Sequence, residues 1–97
     1  MTTYFVTRHP GAVEWAKRKN LFVDHQVEHL DLDVIAPGDT VIGVLPVNLV
    51  AEVCQRGARF ISLSLELPLD ARGKELSADD LERLGAKLEE FYVRKGK

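Results

Sequence analysis

The chain has 97 residues, of which 45% are apolar and 29% charged, and its formal net charge is -2. These values predict a single domain over residues 1–97 with a modest core. They argue against duplex DNA as a partner, because proteins that track DNA usually carry a basic face. The first residues have the composition of a strand rather than of a signal peptide, and no apolar run has membrane-spanning length. One cysteine allows no intrachain disulfide. We therefore expect a cytoplasmic protein that is not membrane-bound.

The first predicted unit is a strand followed by a helix. The apolar run Tyr4–Val6 is typical of a short strand. Pro10 has the φ angle of a first helical turn. The basic run Lys17–Lys19 suits the negative end of the helix dipole, and Asn20 can end the helix. A second strand is expected to begin at Phe22 and to run towards His29.

The segment after this strand is predicted to be a connection, and a second strand and helix follow it. Within the connection, residues 31–38, we expect Ile35 to turn inward and Pro37-Gly38 to form a turn. Thr40–Leu45 is β-branched and apolar on both faces, as in a buried strand. Pro46 then suits a helix start and Gly57 a helix end. The apolar face of this helix is formed by Leu49, Val50, Val53 and Cys54.

The last third of the chain predicts one more strand and a final helix. Residues 60–67 alternate in polarity, with Ser62 and Ser64 on a half-polar face that suits a sheet edge or a docking surface. A polar loop is expected over residues 68–75. Ser77 is a strong N-cap for the final helix. Its buried stripe would consist of Leu81, Leu84, Leu88 and Phe91.

The order β-α-β-β-α-β-α predicts a minimal Rossmann-like α/β domain with about four mostly parallel strands and three helices. We expect the strand order 2-1-3-4, which places the first and third strands side by side. Both proline-containing loops then open on the edge where the strands end, and ligands bind there in open α/β sheets. So small a sheet leaves a face or an edge poorly covered, and we expect a homodimer.

The first proline-containing loop holds the strongest candidate site. Thr7, Arg8 and His9 supply a hydroxyl, a guanidinium and an imidazole before a helix N-terminus, which suits an anion. His9 could also transfer a proton near neutral pH. Pro10 and Gly11 in the same loop are predicted ligand contacts. The alternative is a capping threonine beside a solvated arginine and histidine.

The second proline-containing loop supplies two further candidates. The amide of Asn48 can orient a hydroxyl or a phosphate, or it can cap the following helix. Pro46 is a predicted ligand contact. Neither proline-containing loop has a glycine-rich phosphate fingerprint, so we expect no dinucleotide or nucleoside triphosphate cofactor.

Two other patterns have alternative interpretations. Ser62 and Ser64 lack a nucleophile elbow, so hydrogen bonding to a ligand or partner is favoured over nucleophilic catalysis. His25–His29 matches the His-x-x-Glu-His pattern of inverted zinc peptidases, which requires a helix. Its neighbours favour a strand or loop instead, and we expect no metal site.

Four long segments make the chain resemble the small accessory proteins encoded beside type III CRISPR systems. They are Tyr4–Ala16, Gly38–Leu49, Arg56–Pro68 and Glu75–Leu81. This group resembles single-domain versions of the CARF fold, the Rossmann-like sensor of cyclic oligoadenylates. Its members are implicated as ring nucleases, which open cyclic tetra-adenylate and so switch off the antiviral response.

The resemblance implies a metal-independent phosphodiesterase without a cofactor. The 2′-hydroxyl of the ring would attack the adjacent phosphate, while the protein orients the groups and neutralises charge. By residue chemistry, Arg8 would hold the phosphate, His9 would be the acid or base, and Asn48 with Thr7 would position the reacting groups. Two alternatives remain open, a module that binds the ring without cutting it and an interaction protein that docks another CRISPR component.

Overall fold

A computed structural model describes residues 1–66 and 75–96 of the chain. The five strands in these residues are β1 (Thr3–Val6), β2 (His25–Val27), β3 (Thr40–Gly43), β4 (Arg59–Ser64) and β5 (Lys87–Phe91). The three α-helices are α1 (Pro10–Arg18), α2 (Val47–Gln55) and α3 (Ala78–Arg83), and a short 3-10 helix covers Leu32–Val34. The mixed α/β class is the predicted one.

The strands form one sheet in the order β2-β1-β3-β4-β5. Strands β1 to β4 are mutually parallel, and β5 runs antiparallel to β4. The predicted order 2-1-3-4 is therefore confirmed, with a fifth strand added. In the register of the sheet, Val6 lies beside Val27 on one side and beside Gly43 on the other. All four parallel strands end at one edge of the sheet, which we call the carboxyl edge.

The prediction of a long final helix was wrong in its second half. Helix α3 ends at Arg83, and the next residues turn back to form β5. Gly85 has a φ of 74°, a left-handed value that favours glycine and closes the helix. Leu88 then pairs with Leu63 of β4. The leucine spacing fits a helix, but Gly85 ends the helix before Leu88 is reached.

Of the two interpretations of the half-polar face of β4, a sheet edge is not what the structure shows, and a docking surface stays a prediction. Strand β4 pairs with β3 on one side and with β5 on the other. The serine-bearing face therefore belongs to an inner strand. The predicted strand residue Leu67 and the predicted loop residues 68–74 lie outside the described part of the chain.

The middle segments are shorter than predicted but lie where the pattern placed them. Strand β2 covers only three residues, and Phe22 is 77% exposed. Ile35 is buried, and a turn occurs at Pro37-Gly38, as expected. Of the described helices, none is long and apolar enough to pass through a membrane.

The hydrophobic core has two halves, one on each face of the sheet. Alternation along β1 divides it, because Phe5 points towards α1 and α3 whereas Val6 points towards α2. Trp15 of α1 and Val53 of α2 are the large buried residues of their helices, at 2% and 0% exposure. Cys54 is buried, as predicted.

All three helices end in the same hydrogen-bonded turn. In each, the residue after the C-cap has a positive φ: Asn20 at 56°, Gly57 at 83° and Gly85 at 74°. The following amides, those of Leu21, Ala58 and Ala86, donate back to carbonyls five residues earlier. This is the Schellman arrangement, which gives the last carbonyls of a helix a hydrogen-bond partner. The predicted helix ends at Asn20 and Gly57 are confirmed.

Candidate functional site

The two proline-containing corners lie side by side at the carboxyl edge. Strand β1 ends at Val6 and β3 at Gly43, and these residues are register partners. The chain then leaves each strand and enters a helix at Pro10 or Val47. A cavity of about 1060 Å³ opens between the corners. The sequence therefore placed both corners on one rim, and the structure shows that they share one hollow.

The cavity has a mostly apolar wall and a polar rim. Its apolar lining includes Ala12 of α1, Leu49 of α2 and Leu81 of α3. Thus each of the three α-helices in the described residues contributes to it. Gly43 of β3 is also a lining residue, and β1 leaves no room for a side chain there, because a Cβ would lie 2.7 Å from the carbonyl oxygen of Val6. The polar and charged lining residues are Thr7, Arg8, His9, Glu28, His29 and Glu75.

The predicted first-loop residues Thr7, Arg8 and His9 line this cavity together with Pro46 from the second loop. Arg8 and His9 are exposed at the rim. The backbone amide of His9 donates to Thr7 Oγ1 at 3.1 Å, which fixes the turn before α1. His9 is the N-cap residue of α1 but makes no side-chain capping bond. The alternative of a capping threonine beside a solvated arginine and histidine agrees with the exposure of Arg8 and His9, whereas Thr7 bonds the amide of the N-cap residue and not an amide within α1.

Asn48, Ser62 and Ser64 are not among the lining residues of the cavity. Asn48 is exposed in the first turn of α2, and no side chain caps that helix, so capping by its amide is not observed. Ser62 and Ser64 lie on β4, and the hydroxyl of Ser64 donates to that of Ser62 at 3.3 Å. Both serines share the sheet face of Phe60, which packs towards α2, whereas Leu63 faces the cavity.

Pro10 and Gly11 serve the entry into α1 rather than the cavity lining. Pro10 is the first helical residue, as its fixed φ predicts. A Cβ on Gly11 would lie 2.0 Å from the carbonyl oxygen of Leu76. Glycine is therefore required here by the close approach of two backbone segments. The predicted ligand contact at Gly11 is replaced by a packing contact.

Three charged or polar lining residues were not predicted as site residues: Glu28, His29 and Glu75. Glu28 and His29 follow β2, which pairs parallel with β1 and so ends at the same edge. The amide of Thr7 donates to the carbonyl of Val27 at 2.8 Å, which ties the two strand ends together. The parallel pairing of β1 with β2 is the signal from which Glu28 and His29 could have been predicted.

The zinc-peptidase pattern at His25–His29 does not form the helix that it requires. His25–Val27 is strand β2, as the neighbouring residues predicted. The His25 ring lies against Tyr4, with centroids 5.5 Å apart, whereas His29 lines the cavity. Within residues 1–66 and 75–96, no three histidine, cysteine or acidic side chains group in a way that could hold a metal ion.

The segment entering α3 is fixed by a capping box. The amide of Asp80 donates to Ser77 Oγ at 3.1 Å, and the amide of Ser77 donates to Asp80 Oδ2 at 3.0 Å. The bond from the Ser77 amide holds the pKa of Asp80 below its usual value, since it favours the ionised carboxylate. The capping box places Leu76 against Gly11 and Glu75 at the cavity rim.

The fold and the site define a class: a small Rossmann-like α/β domain with a ligand-sized cavity at the carboxyl edge of its central strands. The comparison with protein families is more specific. A family model described as "Putative CRISPR-associated protein (Cas_VVA1548)" matches residues 4–94, so the chain belongs to that family. No curated protein and no solved structure matches the chain.

Proposed function

We propose that the protein binds cyclic oligoadenylate, cyclic tetra-adenylate in particular, and cleaves it without a metal ion, switching off type III CRISPR signalling. The observation that carries the proposal is the shared cavity, lined by Thr7, Arg8 and His9, in a chain of a CRISPR-associated family. That site combines a cation for phosphate with an imidazole for proton transfer.

The size and wall of the cavity suit a nucleotide larger than a mononucleotide. Its volume of about 1060 Å³ exceeds the range of about 300–1,000 Å³ that is common for small-molecule sites. Leu49 and Leu65 contribute apolar surface that adenine rings can cover. Val44 also lines the cavity, although 70% of it is exposed. A bound base would remove this apolar side chain from water.

Charge at the rim favours a phosphate on the α1 side. Arg8 offers a planar guanidinium that can bind two phosphate oxygens. Helices α1 and α2 both begin beside the cavity, so their positive dipole ends lie near the ligand. Glu28 and Glu75 occupy the other parts of the rim and disfavour a phosphate there. The reacting phosphate is thus assigned to Arg8.

The reaction needs no group beyond those of the ring and the protein. The ribose 2′-oxygen attacks the adjacent phosphorus, and a base removes the hydroxyl proton as the O2′–P bond forms. The P–O5′ bond breaks, and an acid protonates the departing 5′-oxygen. The products are a 5′-hydroxyl and a 2′,3′-cyclic phosphate. Arg8 stabilises the charge that develops on the phosphate, and His9 transfers one of the protons.

A second copy of the chain would double the site. We propose a homodimer whose two-fold axis coincides with that of the ring. Val47, which is 69% exposed at the start of α2, offers apolar surface close to the cavity for such a contact. Light scattering during size-exclusion chromatography would measure the mass of the protein in solution. A monomer at micromolar protein concentration in the presence of bound ring would contradict the proposed homodimer.

The experiment is incubation of the protein with radiolabelled cyclic tetra-adenylate, with and without EDTA. We expect linear product ending in a cyclic phosphate in both samples. Cleavage that EDTA abolishes would contradict the metal-independent mechanism. The absence of both binding and cleavage would contradict the proposal as a whole. It would favour the alternative that the protein docks another CRISPR component.

One observation favours a second candidate, a module that binds the ring without cutting it. Within residues 1–66 and 75–96, no protein hydrogen bond or ion pair fixes the side chain of Arg8 or of His9. Catalysis depends on such orientation more than binding does. An intact ring that migrates with the protein would identify this binding module.

A further inference from the structure

We propose that His29 is the second proton-transfer residue of the cavity and acts opposite His9. This inference rests on the proposed ring-opening reaction. Cleavage by the 2′-hydroxyl needs one group to accept a proton and another to donate one. The first-loop cluster supplies only one imidazole, and the lining of the cavity supplies the other from a different strand.

The sheet brings the two histidines to the same edge, each shortly after the end of its strand. Val6 and Val27 are parallel register partners. His9 lies three residues after Val6, and His29 lies two residues after Val27. The amide of Thr7 donates to the carbonyl of Val27 at 2.8 Å, so the two chain segments leave the sheet together.

A side-chain contact adds to this backbone link. Gln26 Nε2 donates to the carbonyl of Thr7 at 2.6 Å. Because Gln26 and Thr7 belong to the two segments that carry the histidines, this bond fixes one relative to the other. Both His9 and His29 are exposed at the rim, where a ligand can reach them.

The other charged groups at the rim are less suited to the second role. The titratable and charged lining residues besides the two histidines are Arg8, Glu28 and Glu75. Arginine stays protonated throughout the physiological range and so holds charge rather than transferring protons. Glu28 and Glu75 are exposed at the rim, and a carboxyl side chain in general needs burial or a like charge beside it to exchange protons near neutral pH. An imidazole needs no such surroundings, because its ordinary pKa already lies near neutral pH.

The proton balance of the reaction is complete with two histidines. One neutral imidazole takes the proton of the 2′-hydroxyl as the O2′–P bond forms. The other, protonated imidazole gives its proton to the 5′-oxygen as the P–O5′ bond breaks. One proton is taken up and one released, so proton exchange with water restores both residues.

The test compares wild type, His29→Gln and the matched control His25→Gln in single-turnover cleavage of cyclic tetra-adenylate between pH 5 and 9. His25 lies on β2, four residues before His29, and is not among the residues that line the cavity. We expect a bell-shaped profile for wild type and for the control. For His29→Gln we expect the rate to fall by about 10²–10⁴-fold with one limb of the profile lost and affinity for the ring retained.

The outcomes separate the inference from the function on which it rests. If wild type cleaves the ring and His29→Gln keeps its rate and both limbs, His29 has no proton-transfer role although the function stands. Equal loss of binding and cleavage assigns His29 to holding the ring and overturns the inference. If wild type does not cleave, both fall. Circular dichroism of His29→Gln and of a second variant, His29→Asn, shows whether a loss comes from misfolding.

Discussion

The amino and carboxyl edges of the sheet use polar residues for different purposes. At the amino edge, opposite the cavity, the carboxylate of Asp39 is 5% exposed and accepts hydrogen bonds from the amides of Thr2 and Ala36, both at 2.9 Å. Its carbonyl accepts from the amide of Arg59 at 2.8 Å. One residue thereby joins the chain ahead of β1, the turn before β3 and the start of β4.

The carboxyl edge keeps its polar side chains at the rim of a cavity. Arg8, His9 and His29 are exposed there, and the backbone rather than these side chains ties the strand ends together. The comparison shows where the polar groups stabilise the fold and where they remain available to a ligand. Changes at the carboxyl edge should affect ligand chemistry, and changes at the amino edge should affect stability.

The largest expected effect is that of His9→Ala on cleavage. Loss of a proton-transfer group should slow cleavage by about 10²–10⁴-fold while affinity for the ring changes little. Single-turnover rates and equilibrium binding measure the two quantities, with His25→Ala as the control. Wild-type turnover in His9→Ala would remove this residue from the mechanism.

Arg8→Ala should act on affinity. A hydrogen bond to a charged group contributes about 1.5–3 kcal/mol, which corresponds to weaker binding by roughly 10- to 100-fold. Calorimetry with cyclic tetra-adenylate gives the dissociation constant. The matched control is Arg94→Ala, because Arg94 is exposed and follows β5, whose end lies away from the cavity. Equal affinities in the two variants would contradict the assignment of the phosphate to Arg8.

Gly11→Ala tests whether Gly11, although it lies at the carboxyl edge, is required for the stability of the fold. The added Cβ would meet the carbonyl of Leu76, so α1 or the entry into α3 has to shift. We expect a loss of about 1–3 kcal/mol in the free energy of unfolding, measured with urea. The control is Gly96→Ala, since a Cβ there meets no atom within 4 Å. A Gly11→Ala variant as stable as wild type would show that the close approach is not required.

The smallest effect is expected from Asp39→Asn, which retains the side-chain shape and one oxygen acceptor. Hydrogen bonds from the amides of Ala36 and Thr2 hold the pKa of Asp39 below its usual value of 3.8. A lowered pKa stabilises the fold above the usual value, and this stabilisation is lost as pH falls through the lowered one.

Thermal unfolding of wild type and Asp39→Asn between pH 2 and 7 checks this prediction. The difference in midpoint should be full at pH 7 and should shrink as pH falls below 3.8. Asp33→Asn, in an exposed position, serves as the control. A difference that stays constant down to pH 2 would contradict the role of the Asp39 carboxylate.

The parts of the fold that repeat a local pattern could be predicted from sequence. Pro10 and Pro46 mark two strand-to-helix corners, and the strand order follows from placing them together. Residues after Arg83 could not be assigned in this way, because Leu84 and Leu88 fit a helical stripe while Gly85 interrupts it. The turn at Gly85 ends the helix even though the spacing of the leucines would allow it to continue.

The candidate site was predictable only where it follows the local sequence. Thr7, Arg8 and His9 form one run, and their place at the rim was found. His29 follows a different strand, so its place at the rim depends on how the strands pair. It also belongs to the zinc-peptidase pattern, which pointed to a different function. Asn48 shares the correct corner, but the direction of its side chain is set by the first turn of α2.

Because β2 is short, the two segments that carry the cavity's histidines differ in local stability. Arg8 and His9 follow a strand with neighbours on both sides, whereas His29 follows a three-residue strand that, among the described strands, pairs with β1 alone. Outer strands with few hydrogen bonds open at lower free energy than central ones. A ligand at the rim therefore contacts a more rigid segment after β1 and a less rigid segment after β2. Hydrogen exchange of the backbone amides should be faster in β2 than in β1.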